Sequence, residues 1–527
     1  MVKAMKKLKI TIAFGLVLLL GACDVEYYDN PNAPSSAPTD ALFNNNVKRM
    51  VDQIYDMWWS GRFTYPLVQY WHQTEYVEED RYQFRETQRQ IFNNFYEIAE
   101  NYREIIRLNT EEATMDAAAS SGANVNQVAQ CRILLAYLFD VMASAWGDIP
   151  YWSYGSDDAE FQALNLSGVD EQIVTPVYAP QDKIFADILN ELSEAADQLD
   201  ESLPGIGGDN IYHGDVALWK KFANSLRLRI ALKISGVNSS LGSQHISAAL
   251  AGGVFESNDD NAMFKYEGND ANANMSYRAW YVGNRSDFAV GLSFVNLLKG
   301  ENLVGWDHVT VTSKGPNPFL GIVDPRLPIY AQPNGDGDYV GMYVGEGSGD
   351  QAAFVYESLP GTAIIATPDY AETLMEYAEV AFIQSELNGW DQTEYTNGIT
   401  ASMQKWGVDQ ADIDAYLGAV PAASEENVLT QKYIALYMQG STSWAEYRRT
   451  GYPHTLMQPF SETSVYVPST DTWVDKEFNP IPDLTDVPYR MMYPQQEQTL
   501  NGDNRKAAAD KLSNGDTQSS KLWWDVN

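Results

Sequence analysis

Cysteine and histidine are nearly missing from this chain: its 527 residues hold two of the first and five of the second. They form no His-x-x-x-His pair and no Cys/His cluster, so zinc chemistry has no footing. Cys131 lies in the apolar helical run Val128–Val141 and reads as a small buried hydrophobe rather than a nucleophile. Basic residues are scarce too, 35 Lys and Arg against 71 Asp and Glu, for a formal charge of −36. A surface of that sign repels polyanions, which excludes nucleic acid as a partner. The interior also lacks a Pro/Ser-rich linker, so the chain reads as one large globular body.

What is present begins at the N-terminus. Lys3, Lys6, Lys7 and Lys9 precede the apolar run Ile10–Leu20, which ends in Leu20-Gly21-Ala22-Cys23. A charged start followed by a short apolar stretch is an export signal, too short to span a bilayer in the mature protein. The closing cysteine resembles the bacterial lipoprotein signal, which implies cleavage after residue 22 and acylation of Cys23. Several acyl chains, each buried CH2 contributing about 0.8 kcal/mol, make such an anchor effectively permanent. Removal of residues 1–22 leaves 31 basic against 71 acidic residues, a formal charge of −40. With Cys23 acylated, Cys131 has no partner for a disulfide. Residues 23–40, including the acidic, Pro- and Ser-rich Asp24–Asp40, read as the lipidated cysteine and a flexible tether.

Beyond the tether the fold class is mainly α. Apolar spacing of i, i+3, i+4 predicts helices over Ala41–Ser60, Arg89–Leu108, Asn126–Ala145, Gln181–Leu199, Asp215–Ile234, Ala371–Asn388, Thr393–Trp406, Ser424–Gln439 and Ser443–Arg449. Short links at Leu387–Asp391 and Gly440–Thr442 make antiparallel hairpins, about four in all and similar to tetratricopeptide repeats in outline. Residues 253–370 and Tyr452–Asn527 are broken by proline and rich in Tyr, Asn, Gly and Asp, which predicts loops and a few short strands. The expected body, 41–527, is therefore a helical scaffold (about 41–250 and 371–450) packed against an irregular lobe (about 251–370 and 451–527).

Several motifs, in order, resemble the SusD/RagB family of outer-membrane nutrient-binding lipoproteins. They are the lipobox, Asn30–Pro34, Ser144–Tyr151 (SAWGDIPY), Tyr178–Phe185 (YAPQDKIF), Asp324–Pro328 (DPRLP), Gln431–Tyr437 (QKYIALY), Trp444–Gly451 (WAEYRRTG), Pro488–Arg490 and Tyr493-Pro494. Each also has a local reading. Gly147 suits a helix end and Pro150 stops continuation, while Pro180 and Asp182 suit a helix start. Trp444, Tyr447 and Arg448 read as a packing face, with the Arg tied to a carboxylate or carbonyl. The resemblance implies a protein without covalent chemistry. Such a protein binds an oligosaccharide, or in some members a peptide, at the cell surface, as partner and lid of a SusC-like TonB-dependent transporter. Asp24, Glu26 and Asp29 resemble the acidic tether associated with export to the outer face.

A sugar receptor needs exposed rings for C–H faces, flanked by polar groups for hydroxyls. Two clusters in polar, irregular stretches supply candidates: Trp71, Gln73, Tyr76, Arg81 and Tyr82, then Tyr277, Arg278, Trp280, Tyr281, Asn284 and Arg285. Partial burial under a loop is the competing reading for each. No cofactor is expected. Asn334, Asp336 and Asp338 alternate with glycines as calcium ligands do, but the twelfth position is Gly345, so the stretch reads first as a surface turn, with calcium as the alternative. A surface endo-glycosidase, which needs paired carboxylates in a cleft, and a helical scaffold binding only protein are the functional alternatives.

Overall fold

The computed structural model describes residues 37–85, 88–165, 173–303, 313–345, 357–467, 470–482 and 484–527, apart from the side chains of 88, 463–467 and 476. Cys23 and the tether up to residue 36 lie outside the described residues. Thr39–Asn527 form one compact unit.

The long helices are α1 (Thr39–Tyr55), α2 (Gln88–Thr110), α3 (Asn124–Trp146), α4 (Gln181–Gln198), α5 (Val216–Ile234) and α6 (Ser239–Gly252). After the loop-rich region come α7 (Tyr377–Leu387), α8 (Gln392–Lys405), α9 (Gln410–Ala419), α10 (Glu425–Ala435) and α11 (Gly440–Thr450). Neighbours in sequence pack side by side: α3 on α4, α5 on α6, and α7 on α8. These are the tetratricopeptide-like hairpins. Helix α3 is long and apolar enough to cross a membrane, yet it is buried along the whole apolar window. It is the central strut of the scaffold, and burial pushes the Cys131 thiol on it far above its ordinary range.

The helix boundaries differ from the sequence pattern in four places. Ala371–Met375 is a strand, because it pairs antiparallel with Ala262–Lys265 and that non-local ladder overrides its helical spacing. Gly440–Thr442 opens α11 instead of linking two helices, the reversal lying just before it at Leu436–Gln439. The first helix stops at Tyr55, five residues early. Helices α6 and α9 lie in stretches where the pattern had none.

The family motifs hold helix ends together. Gly147, at φ 95°, closes α3, and its N–H donates to the Ala143 carbonyl. The Asp148 carboxylate accepts from the Gln181 N–H at 3.0 Å, tying that end to the start of α4. Ile149-Pro150 then pairs with Tyr178-Ala179. Arg448 donates to the Ser144 and Tyr489 carbonyls at 2.7 and 2.8 Å, with its guanidinium 3.7 Å from the Trp444 ring centroid.

Candidate functional site

The two candidate clusters meet because two strands pair. Strand β1 (Trp71–Gln73) runs antiparallel to β2 (Phe288–Val290), with Trp71 opposite Val290 and Gln73 opposite Phe288. That pairing brings the loop after β1 beside the loop before β2, although they are far apart in the chain.

Backbone irregularity is concentrated around this joint. After α1 the Asp56 carboxylate accepts the N–H groups of Trp58 and Trp59 at 2.9 and 2.6 Å, and the chain enters a π-helical turn, Ser60–Thr64. A second π-turn, Arg278–Val282, precedes β2. Gln69, Tyr76, Tyr82 and Asn284 all have φ between 50° and 62°. π-turns and left-handed non-glycine residues cost energy and gather where a chain presents side chains for use.

What this backbone presents is a row of rings beside guanidinium groups. Trp58 is 50% exposed, Tyr76 47% and Tyr281 54%. The Arg62 guanidinium lies 4.6 Å from the Trp58 ring centroid and 5.5 Å from that of Tyr76. Arg285 and Arg85 approach the Tyr76 ring at 5.6 and 5.9 Å. Tyr277 stacks on Tyr281 at 5.2 Å and 17°. Cation–π contacts of this kind contribute about 0.5–1 kcal/mol each at exposed sites and hold the rings in place.

Buried carboxylates anchor the arginines. Glu79, fully buried, accepts from Arg85 through both oxygens, the second at 2.6 Å. Asp287 accepts from Arg285 through both of its own. Arg62 is 6% exposed, with Glu79 and Asp287 each 3.9 Å away, beyond hydrogen-bond length. Burial lowers its pKa, and its Nη1 has no hydrogen-bond partner among the described residues. The indole N–H of Trp280, a half-buried residue whose N–H is itself buried, is likewise unmatched among the described residues.

Three candidates are corrected from contacts to core. Trp71 is fully buried, its N–H donating to the Tyr437 hydroxyl at 2.7 Å and its ring set edge-on to Tyr65 and Trp280. Gln73 is buried, its backbone N–H donating to Asp80. The Tyr82 ring is buried against Phe478. Arg81 is half-buried and donates to the Asn479 carbonyl at 3.1 Å, while Asn284 and Arg285 are exposed. Sequence reasoning missed Trp58, Arg62 and Arg85. Trp58 falls inside the predicted helix Ala41–Ser60, and its neighbour Trp59 is fully buried, so composition gave no means of telling one ring from the other.

At Asn334–Asp338 the Asn334 side-chain oxygen accepts the N–H groups of Asp336 and Asp338, both at 3.0 Å, as in an Asx turn. No group of three or more His, Cys, Asp or Glu side chains placed to hold a metal ion is found among the described residues.

Fold and site together define a tetratricopeptide-like helical scaffold carrying a ring-lined surface site in its irregular part. The chain belongs to the SusD/RagB family: the model described as "Starch-binding associating with outer membrane" matches residues 31–470, and that described as "Susd and RagB outer membrane lipoprotein" matches 418–525. Among solved structures, a chitin-binding protein is 23% identical with a TM-score of 0.70, covering 93% of this chain and 100% of its own. A SusD homologue from Parabacteroides distasonis is 21% identical with a TM-score of 0.72, covering 93% and 98%. A chitin-binding SusD homologue from Flavobacterium johnsoniae is 21% identical with a TM-score of 0.67, covering 92% and 98%. At these identities the likeness establishes the fold. Among curated proteins, none matches significantly.

Proposed function

We propose that the ring-lined site captures an oligosaccharide or polysaccharide at the cell surface. In this reading the chain is anchored through acylated Cys23 in the outer membrane, faces outward, and serves as partner and lid of a SusC-like TonB-dependent transporter. The observation that carries the proposal is the trio of half-exposed rings, Trp58, Tyr76 and Tyr281, with Arg62 and Arg285 held beside Tyr76. Rings stack on the C–H faces of a sugar, and guanidinium N–H groups bond its hydroxyls. Glu79 and Asp287 are buried and held by Arg85 and Arg285, which supports a part in positioning the arginines. Family membership and two chitin-binding structural neighbours support a glycan as ligand.

The test is calorimetric titration with chitin oligosaccharides, maltooligosaccharides and a peptide panel, using the native chain and Trp58→Ala, Tyr76→Ala and Tyr281→Ala. One glycan class is expected to bind, with affinity falling at least tenfold in Trp58→Ala and thermal stability kept. Binding of peptides alone, or glycan affinity indifferent to all three substitutions, would refute the reading.

A further inference from the structure

A cavity of about 330 Å³ opens beside the first turns of α1, apart from the rings. Its walls come from three separate stretches: Asn44, Asn45 and Lys48 on α1, Asn210 in the loop before α5, and Phe264, Tyr266 and Asn272 at and beyond the strand Ala262–Lys265. That volume is at the small end of the roughly 300–1,000 Å³ range of ligand pockets.

The two lysines around it are already paired, and the one remaining carboxylate is hydrogen-bonded. Lys48 pairs with Asp52 at 2.6 Å, Lys265 lies 3.4 Å from Asp369, and Glu267 accepts from Asn269 and Asn272 at 2.7 and 3.0 Å. What remains to meet a ligand is carboxamide. Asn210 donates to the Asn44 side-chain oxygen at 2.8 Å, which leaves the Asn44 amide hydrogens and the Asn210 oxygen without a partner among the described residues. Asn272 donates to Glu267 and keeps its oxygen free, while the exposed Asn45 side chain has no partner among the described residues. The pocket therefore offers donors and acceptors side by side around one hydrogen-bonded carboxylate, Glu267, and hydroxyl groups, each donor and acceptor at once, are the chemistry that satisfies both. Phe264 and Tyr266, both buried, form the floor of the pocket; the Lys48 ammonium lies 5.5 Å from the Tyr266 ring centroid, and the Tyr266 hydroxyl is fixed by Asp52 at 2.8 Å.

We propose that this pocket is a second carbohydrate site, taking one neutral sugar residue. It is separate from the ring-lined site: at about 1.5 Å per helical residue, the stretch from Asn44 to the end of α1 at Tyr55 alone spans roughly 16 Å, and Trp58 lies beyond it. A monosaccharide cannot touch both, and the proposal stands whether or not the rings bind a glycan.

The experiment is saturation-transfer NMR on the full chain in an amine-oxide detergent, which has no sugar headgroup, with glucose, galactose and N-acetylglucosamine as probes. At least one is expected to receive saturation, and the effect to fall at least fivefold in Asn45→Leu and in Asn272→Leu while persisting in Trp58→Ala. Asn45 is exposed, so its variant keeps the fold, as an unchanged Tm will verify. The proposal is overturned if none of the three sugars is saturated, if both Asn variants behave as the native chain, or if the effect disappears in Trp58→Ala but not in the Asn variants.

Discussion

Trp58 and Trp71 show how differently two tryptophans of one chain are employed. Trp58 is half exposed with a guanidinium against its face, whereas Trp71 is enclosed and has given its N–H to Tyr437. Trp71→Ala is expected to cost about 3–5 kcal/mol of stability, measured by denaturant unfolding, because it opens a cavity and removes the donor to the Tyr437 hydroxyl, which keeps only its own bond to the Tyr330 carbonyl. A second residue-scale expectation concerns Glu372. Burial raises its pKa from 4.5 to about 8, although one oxygen accepts from Asn274 at 2.6 Å. Between those values the folded state keeps a proton that the unfolded chain has released. The stability is full below pH 4.5 and is lost as pH rises through about 8. Asp56, raised by burial to about 7, adds to the same slope. Thermal melts should therefore show Tm falling from pH 5 to pH 9, with a shallower fall in Glu372→Gln. An unchanged slope would remove Glu372 as a cause.

At the scale of elements, the decisive feature is the joint between β1 and β2. Gly291, immediately after β2, sits so close to the preceding loop that a Cβ would lie 2.2 Å from the Gln69 carbonyl oxygen. Gly291→Ala is expected to push the strands apart, lowering stability by about 1–3 kcal/mol and weakening glycan affinity several-fold with no ring removed. Unfolding curves and calorimetry on the same variant will show whether the two losses occur together. The amphipathic helices were legible because a periodic apolar face is a local property. Ala371–Met375 was not, since its partner strand lies far away in sequence and the pairing is what makes it a strand. The π-turns were equally invisible: one added residue in a turn leaves no mark in composition, yet it aims Arg62 and the Tyr281 ring.

Across the whole molecule, the C-terminal stretch ties the helices together. Arg490 is fully buried, donating to the Trp146 carbonyl at 2.9 Å and to Asp516 at 2.5 Å, and the Trp444 N–H donates to the Pro488 carbonyl at 2.9 Å. Arg490→Ala leaves a buried carbonyl and a partly buried carboxylate short of donors and is expected to cost about 3–5 kcal/mol. Loss of a single cooperative transition in that variant would show that the wrap holds the scaffold as one unit, while a small uniform shift would show that it is an appendage.

The chain's chemistry alone settled the class. A mainly helical scaffold, proline-broken irregular regions, an acidic surface and the order of the family motifs are all carried by residue type and short-range spacing, which folding does not alter. Which rings face solvent was decided only in three dimensions. Exposure depends on what other segments cover: the pairing of β1 with β2 buries Trp71 and Gln73, and Phe478 covers Tyr82, while Trp58, Tyr76 and Tyr281 stay at the surface. The amide-lined cavity arose the same way, from three stretches that no local pattern connects.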